Sequence, residues 1–424
     1  MTRARAFSDA ERFDRLRLFR SERVGPRSFA RLIARFGSAA AALDALPGLP
    51  GAGAAAVATR DEIEAELEDI AAAGAELIFL GEPDYPALLA RIHAPPPALT
   101  FRGRRECLRR SMVAIVGSRN ASAAGLAFAE QIAREIGRAG HVVVSGLARG
   151  VDQRAHRATI ESGTIAVFAG GLAEVYPSAH RDLLERILAE GGALSEMPFR
   201  WEARARDFPR RNRIVAGLSR AVVVVEAARR SGSLITASFA ADEGREIFAV
   251  PGSPLDPRAE GPNDLLRQGA SLCARAQDVI EALERDDAAA CEPASSPLRL
   301  GERREADASL WDELDDLQGD VLPDFLADRT PERRDAQDVA RPAATPQNAP
   351  ARPEAGRGAA REEARGDVAA RVLGLLGLAP VSADELVRAA DAPAREVRAI
   401  LFRLELEGRL ERHGADRVSL RAEP

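Results

Sequence analysis

Short, uniformly apolar runs recur through the middle of the chain, and most are followed by a small-residue turn and a stretch of helical period. Residues 112–116 form the first run and carry no polar side chain. That is the pattern of a parallel strand covered on both faces. It runs into Gly117-Ser118-Arg119-Asn120, after which Leu126, Ile132, Ala133 and Ile136 mark the inner face of a helix. The order then repeats. Residues 142–144 lead into 145–152, 164–168 into Gly170-Gly171, 193–195 into Glu196, 221–225 into Glu226, and 246–250 into Pro251-Gly252-Ser253. Strands alternating with helices predict an α/β fold, a Rossmann-like doubly wound parallel sheet.

The flanks keep other periods. Residues 8–80 alternate helical patterns with small-residue turns. Val24-Gly25-Pro26 opens a helix with Phe29, Leu32, Ile33 and Phe36 on its inner face, and the turn at 49–53 breaks another pair. This predicts a small all-α domain similar to helix-hairpin-helix or SAM modules. The sheet domain spans 84–283. Residues 284–366 are rich in Ala, Pro, Asp, Glu and Arg, too poor in apolar residues for a core, and read as a disordered linker. Within it an acidic, aromatic island surrounds Trp311, either a docking motif or a stray apolar cluster. Residues 367–422 regain order: Val368, Val372, Leu375 and Leu376 mark one helix, Ser382 caps a second, and Pro393 starts a third. Two short strands follow, so this part resembles a winged helix. Its nine arginines against ten carboxylates between 366 and 424 favour protein contact or regulation over strong DNA binding.

Composition narrows the reading. The chain has 424 residues and a net charge of −6, so it is not a basic polyelectrolyte as a whole. It has no lysine; all 59 basic residues are arginine, so only local clustering of arginine is informative. Cys107, Cys273 and Cys291 lack metal-ligand spacing, which predicts a reducing, cytoplasmic setting without structural zinc. No apolar run reaches membrane-spanning length, and the arginine-rich N-terminus lacks a following apolar segment.

One segment does cluster. Residues 200–220 hold seven arginines and two acids, Glu202 and Asp207. Phe208-Pro209-Arg210-Arg211-Asn212-Arg213 places a ring among the guanidiniums. Arginine with an aromatic ring equips a loop to hold a single strand, phosphates on guanidinium and bases on the ring. A solvated face with one core Phe is the plainer reading. Loops at the carboxyl ends of parallel strands converge on one crevice. Gly117, Ser118, Arg119, Ser145, Gly146, Gly170, Gly171, Ser231 and Ser233 are thus expected on one rim, where a helix N-terminus after Gly117 also offers free amides to an anion.

At these residues the chain resembles the DNA-processing protein A family. The motifs are Asp84-Tyr85-Pro86, Gly117-Ser118-Arg119, residues 145–152 with His156, Gly170-Gly171-Leu172 with Tyr176-Pro177, Ser195-Glu196, residues 208–213, Ser231-Gly232-Ser233, Pro251-Gly252-Ser253 and residues 261–266. The resemblance implies a core that binds single-stranded DNA, loads the recombinase RecA during natural transformation, and acts as a homodimer. It further implies faster RecA assembly on strands coated with single-strand-binding protein, a candidate partner. It also places Arg119 and residues 211–213 in the DNA pocket. The rim residues offer no nucleophile–base–orienter set, so binding without catalysis and without a cofactor is expected.

Other chemistry is sparser. Asp152 and His156 share a helix face near Ser145, but no nucleophile elbow is present, and Asp152 fits a cap or a loop tie. Glu196 and Glu226 each follow a strand and could flank a glycosidic bond. That supports an alternative reading, a Rossmann-like nucleotide hydrolase similar to phosphoribohydrolases, although Ser231-Gly232-Ser233 departs from their Pro-Gly-Gly-x-Gly-Thr loop. A G-x-G-x-x-G fingerprint is absent. A winged-helix transcription regulator is a third reading, separable by a sequence-specific duplex footprint.

Overall fold

In the computed structural model, the apolar runs form the centre of a nine-stranded sheet. The strands are β1 (Glu76–Phe79), β2 (Ala98–Gly103), β3 (Met112–Gly117), β4 (Val142–Ser145), β5 (Thr164–Val167), β6 (Gly192–Ser195), β7 (Ala221–Val225), β8 (Glu246–Ala249) and β9 (Ser271–Leu272). Their order is β1-β2-β6-β5-β4-β3-β7-β8-β9. All neighbours from β6 to β9 run parallel, while β1 and β2 add an antiparallel pair at the β6 edge. The chain lays β4, β5 and β6 down on one side of β3, then returns to place β7 on the other. The topological switch point therefore lies between β3 and β7. The structure describes residues 6–49, 57–291, 368–377, 379–413 and 417–421. These fall into two compact units, one within Met1–Asp316 and one within Leu317–Pro424.

Burial explains the apolar runs. Every residue of β7, and Val113, Ala114 and Ile115 of β3, is fully shielded from solvent. Each such Val or Ile contributes about 1.5–3 kcal/mol of burial free energy. Helices α1 (Asp9–Arg20), α2 (Pro26–Phe36), α3 (Ala39–Ala45) and α4 (Arg60–Ala72) precede the sheet. Next come α5 (Ala123–Arg138), α6 (Val151–Ala158), α7 (Arg181–Glu190), α8 (Asp207–Leu218), α9 (Gly232–Asp242), α10 (Glu260–Arg267) and α11 (Ala276–Cys291). Ile214, Val215 and Leu218 of α8 and Phe239 of α9 cover the face bearing Ala114, Val144 and Val222. Leu183 and Ile187 of α7, with Leu16 of α1 and Ile63 of α4, cover the face bearing Ala166 and Ala193. α11 takes in the first residues of the expected linker; the rest of that segment, with Trp311, lies outside the described residues.

In the second unit, helical residues 368–375 precede a short strand, Val381–Ser382, and the helices Ala383–Ala390 and Ala394–Leu406. A hairpin of Leu410–His413 and Arg417–Leu420 completes a three-stranded sheet. Ser382 and Glu385 form a reciprocal capping box, which fixes where the second helix starts. Three helices and a hairpin are the winged-helix arrangement expected from the sequence.

The N-terminal helices have a small core of their own around Leu18, Phe29, Leu32 and Leu43. They are also bolted to the sheet. The Arg20 guanidinium pairs with Glu66 at 2.9 Å and donates to the carbonyls of Glu196 (3.0 Å) and Met197 (3.3 Å). Glu66 in turn accepts from the Phe199 amide at 3.2 Å. The Arg20 and Glu66 side chains are 8% and 10% exposed, so the pair is well shielded. Arg20→Ala leaves Glu66 uncompensated and should cost about 3–5 kcal/mol in chemical denaturation. A change under about 0.5 kcal/mol, the scale of an ordinary surface substitution, would show that the clamp is not structural.

A second buried tie joins β4 to β5. Thr164 Oγ1 donates to the Val143 carbonyl (2.7 Å), so the same oxygen must accept from His156 Nδ1 (2.8 Å). Burial first, then the nearby His180 and Arg211 charges, push the His156 pKa down to about 3. The folded protein therefore holds His156 neutral while the unfolded chain protonates it below about pH 6.5. Stability is complete above that pH and falls as the pH drops toward 3, by about 2 kcal/mol at pH 5. Burial pushes His180 and His141 the same way, and pushes the Asp152 carboxyl upward in opposition. His156→Asn keeps a donor near Thr164 but cannot titrate. Its denaturation free energy should lose about 2 kcal/mol less than wild type between pH 7 and 5. Equal losses would contradict the assignment.

Candidate nucleic-acid interface

At the switch point the chain closes on itself. The Ser118 amide donates to the Glu226 carbonyl at 2.6 Å, and Ser233 Oγ donates to the Gly117 carbonyl at 2.8 Å. Ser231 caps α9, accepting from the Ser233 amide at 3.4 Å. Glu226 adopts a left-handed backbone (φ 46°), unusual for a non-glycine residue. Its carboxylate accepts from the Ser122 amide at 2.7 Å and from the Ser122 hydroxyl, while Ser122 Oγ caps α5 through the Gly125 amide. The sequence suggested free amides at this helix N-terminus for a phosphate. Instead the protein supplies its own anion there. Ser118 Oγ likewise accepts locally, from the Asn120 amide at 3.1 Å.

The loop after β4 is held from three sides. Asp152 accepts from the amides of Gly146 (3.1 Å) and Ala148 (3.3 Å), as a loop tie does. His180 Nδ1 donates to the carbonyl of Leu147, itself at φ 58°. The Arg211 guanidinium donates to the carbonyls of Gly146 (2.6 Å) and Val167 (2.7 Å). It fills the space a Cβ at Gly146 would need. At Gly150, φ is 76° and a Cβ would strike the Ser118 and Arg119 carbonyls, so glycine lets two rim loops touch. Burial pushes the Arg211 pKa down to about 10, with Asp152 opposing the shift. Ser145 is fully buried; its Oγ donates to the Ile115 carbonyl at 2.7 Å and also contacts the Asp152 carboxyl, opposing the upward push of burial there.

α8 presents two faces. Asp207, at its start, accepts from Trp201 Nε1 (2.9 Å) and the Arg204 amide (2.8 Å), folding the arginine-rich approach into a turn. Arg211, Asn212 and Arg213 point inward and are 7%, 7% and 3% exposed. Asn212 bridges Arg211 and the Gly232 carbonyl, and Arg213 pairs with Glu196. Phe208 and Arg210 are half-buried, and the Arg211 guanidinium also lies 5.9 Å from the Phe208 ring centroid. The Arg119 guanidinium lies 5.5 Å from the Phe208 ring centroid. Tyr176, 40% exposed, meets Phe208 edge-on at 5.8 Å.

The predicted site residues thus divide by their placement. Arg119 and Phe208 meet at the half-buried rim, and Gly146 and Arg211 line the same cavity as Phe208 and Tyr176. Arg210 is half-buried, while Ser145, Asn212 and Arg213 are buried and bonded to the framework. Charge counting along a sequence cannot separate these two groups. Tyr176 joins the rim although it stood outside the predicted set; its place in the Tyr176-Pro177 motif was the available signal. Ser145 contacts Asp152 through its hydroxyl and His156 through its backbone, while His156 Nδ1 bonds to Thr164 and Asp152 ties the β4-loop amides. Glu196 and Glu226 are engaged by Arg213 and Ser122, so they are not two free carboxylates. Among the described residues, no cluster of three or more His, Cys, Asp or Glu could hold a metal. No helix there is long and apolar enough to cross a membrane.

Comparison with known proteins identifies the family. The family described as DNA recombination-mediator protein A matches residues 76–284. A DprA-like N-terminal HHH domain matches 9–69, and a DprA winged helix domain matches 344–416. The chain is 40% identical over 223 residues to the DNA processing protein DprA of Bacillus subtilis, covering 52% of this chain and 75% of that one. It is 42% identical over 203 residues to Protein Smf of Escherichia coli, covering 47% and 54%. The solved DNA processing protein A of Streptococcus pneumoniae superposes with a TM-score of 0.55 at 29% identity, over 65% of this chain and 98% of that one. With its sheet domain and both flanking domains matched in order, the chain belongs to the DprA/Smf family of DNA recombination mediators.

Proposed function

We propose that this chain holds single-stranded DNA on the carboxyl-end rim of its sheet and presents it to RecA, as a cytoplasmic homodimer acting on strands taken up in natural transformation. The observation that carries the reading is the Arg119–Phe208 pair, with Tyr176 at its edge. A guanidinium grips phosphate and a ring stacks a base. A duplex keeps its bases paired inside, so it can use only the charge. In this reading Arg119, Phe208 and Arg210 touch the strand. Gly117, Ser118, Ser231 and Ser233 shape the rim, with Ser145, Gly146, Arg211, Asn212 and Arg213 as its frame.

Family membership supports the mediator role. The engagement of Ser145, Asp152, His156, Glu196 and Glu226 in structural bonds supports binding without turnover, because catalysis needs its groups in mutual reach and available. The single-strand-binding protein enters as the competitor that a mediator must displace or bypass.

Fluorescence anisotropy with a single-stranded and a duplex oligonucleotide tests the reading. Wild type should prefer the single strand, and Phe208→Ala should lose about 1–3 kcal/mol of single-strand affinity. Arg119→Ala should weaken binding and abolish acceleration of RecA assembly on strands precoated with single-strand-binding protein. Unchanged binding by both folded variants contradicts the rim assignment. Release of free base from a nucleotide, lost in Glu226→Gln, would favour the hydrolase instead.

A further inference from the structure

Past Arg119 the rim continues as a laced ledge. The loops leaving β3, β7 and β8 are joined by backbone hydrogen bonds. Ser118 donates to Glu226 (2.6 Å), Ala227 donates to Arg258 (2.6 Å), and Gly261 donates to Ala227 (2.8 Å). Because β5, β4, β3, β7 and β8 are consecutive neighbours, the loops from Phe168 to Leu255 line one edge about 19 Å long at about 4.8 Å per strand. That is longer than the Arg119–Phe208 grip needs.

The far end of the ledge carries the chemistry of the near end. Arg229 and Arg230 are exposed on the β7 loop. Arg229 pairs with Glu260 at 3.2 Å and Asp256 pairs with Arg258 at 3.0 Å, so the nearby carboxylates are engaged. Arg230 is an exposed cation of this stretch. Beyond it, Leu255 is 70% exposed, more than any other large apolar side chain among the described residues. Its loop is rigidly held: Asn263 donates to the Gly252 carbonyl (3.0 Å) and accepts from the Gly252 amide (3.3 Å). Asp256 donates through its amide to the Ser253 carbonyl at 3.0 Å. A single exposed leucine is ordinary on a surface. A leucine presented by a braced loop, on the strand loop adjacent to one with an exposed arginine and on the same sheet edge as the arginine–phenylalanine pair, offers the same two kinds of contact, a cation and an apolar surface.

We infer that the loops after β7 and β8 extend the binding track, with Arg230 taking a backbone phosphate and Leu255 packing against a base of the same single strand. The inference rests on the rim reading above. It adds a length requirement: a strand must be long enough to cross from the β5 side to the β8 side before these residues contribute.

Titrations of the full chain with single-stranded oligonucleotides of about 3 and about 20 nucleotides test it, the shorter too short to cross the edge and the longer beyond single-strand site sizes. Arg230→Ala and Leu255→Ser should each weaken binding of the longer strand about three- to tenfold and leave the shorter one unchanged. Arg230→Ala should also reduce the salt slope on the longer strand by about 0.7, as one lost single-strand phosphate contact does. Both residues are exposed, and unchanged thermal melting will confirm folding. If Arg119→Ala weakens both lengths while these variants bind like wild type, the extension is wrong and the rim reading stands. If Arg119→Ala also binds normally, the rim reading fails and the extension with it. Equal losses on both lengths would place Arg230 and Leu255 in the primary grip and overturn the extension. Normal DNA affinity with impaired RecA assembly would make the ledge a protein contact, which also overturns it.

Discussion

One buried guanidinium holds the carboxyl end of this sheet together. Arg211 leaves α8, passes under the rim and donates to carbonyls of the β4 loop and of β5. Asp152, also buried, balances its charge while tying the amides of the same β4 loop. α8, the β4 loop and β5 are thus fixed by the hydrogen bonds of one guanidinium. Such an arrangement is costly to break, because removing the guanidinium leaves carbonyls at the sheet end without their donor. The Arg213–Glu196 pair extends the frame toward β6, where Arg20 and Glu66 lock the N-terminal helices onto the same connection. The helical region is therefore part of the rim's foundation.

This frame consumes the groups that might otherwise do chemistry. In many doubly wound sheets, a helix N-terminus at the switch point receives a ligand phosphate. Here Glu226 occupies that position for α5, held by a backbone conformation that non-glycine residues rarely adopt. The remaining accessible equipment is a guanidinium beside a ring, suited to holding a strand. A mediator needs a fixed surface with reversible contacts, and rigid loops lower the entropy lost on binding.

Much of this was legible in the chain. The runs at 112–116 and 221–225 announced buried parallel strands, and their turns placed the rim. β1 was hidden because four residues following α4 carry too little period to declare a strand, and its partner β2 is antiparallel. The dense arginines of 200–220 drew attention to α8. Sequence could not show which side chains of α8 turn inward, since the helix is buried on much of its circumference and Arg211 and Arg213 find carbonyl and carboxylate partners far away in the chain. Nor could it show that the Ser145 hydroxyl satisfies the Ile115 carbonyl of the neighbouring strand. Local motifs carry backbone geometry well and long-range hydrogen bonding poorly.

The division between gripping and framing arginines is the centre of the account. The dependence of single-strand affinity on salt concentration tests it most directly, measured for wild type, Arg119→Gln and Arg211→Gln. Replacing Arg119 should lower the slope of log K against log salt by about 0.7 without altering stability. Replacing Arg211 should lower the denaturation midpoint while the folded protein keeps the wild-type slope. A slope reduced by Arg211→Gln and untouched by Arg119→Gln would contradict it.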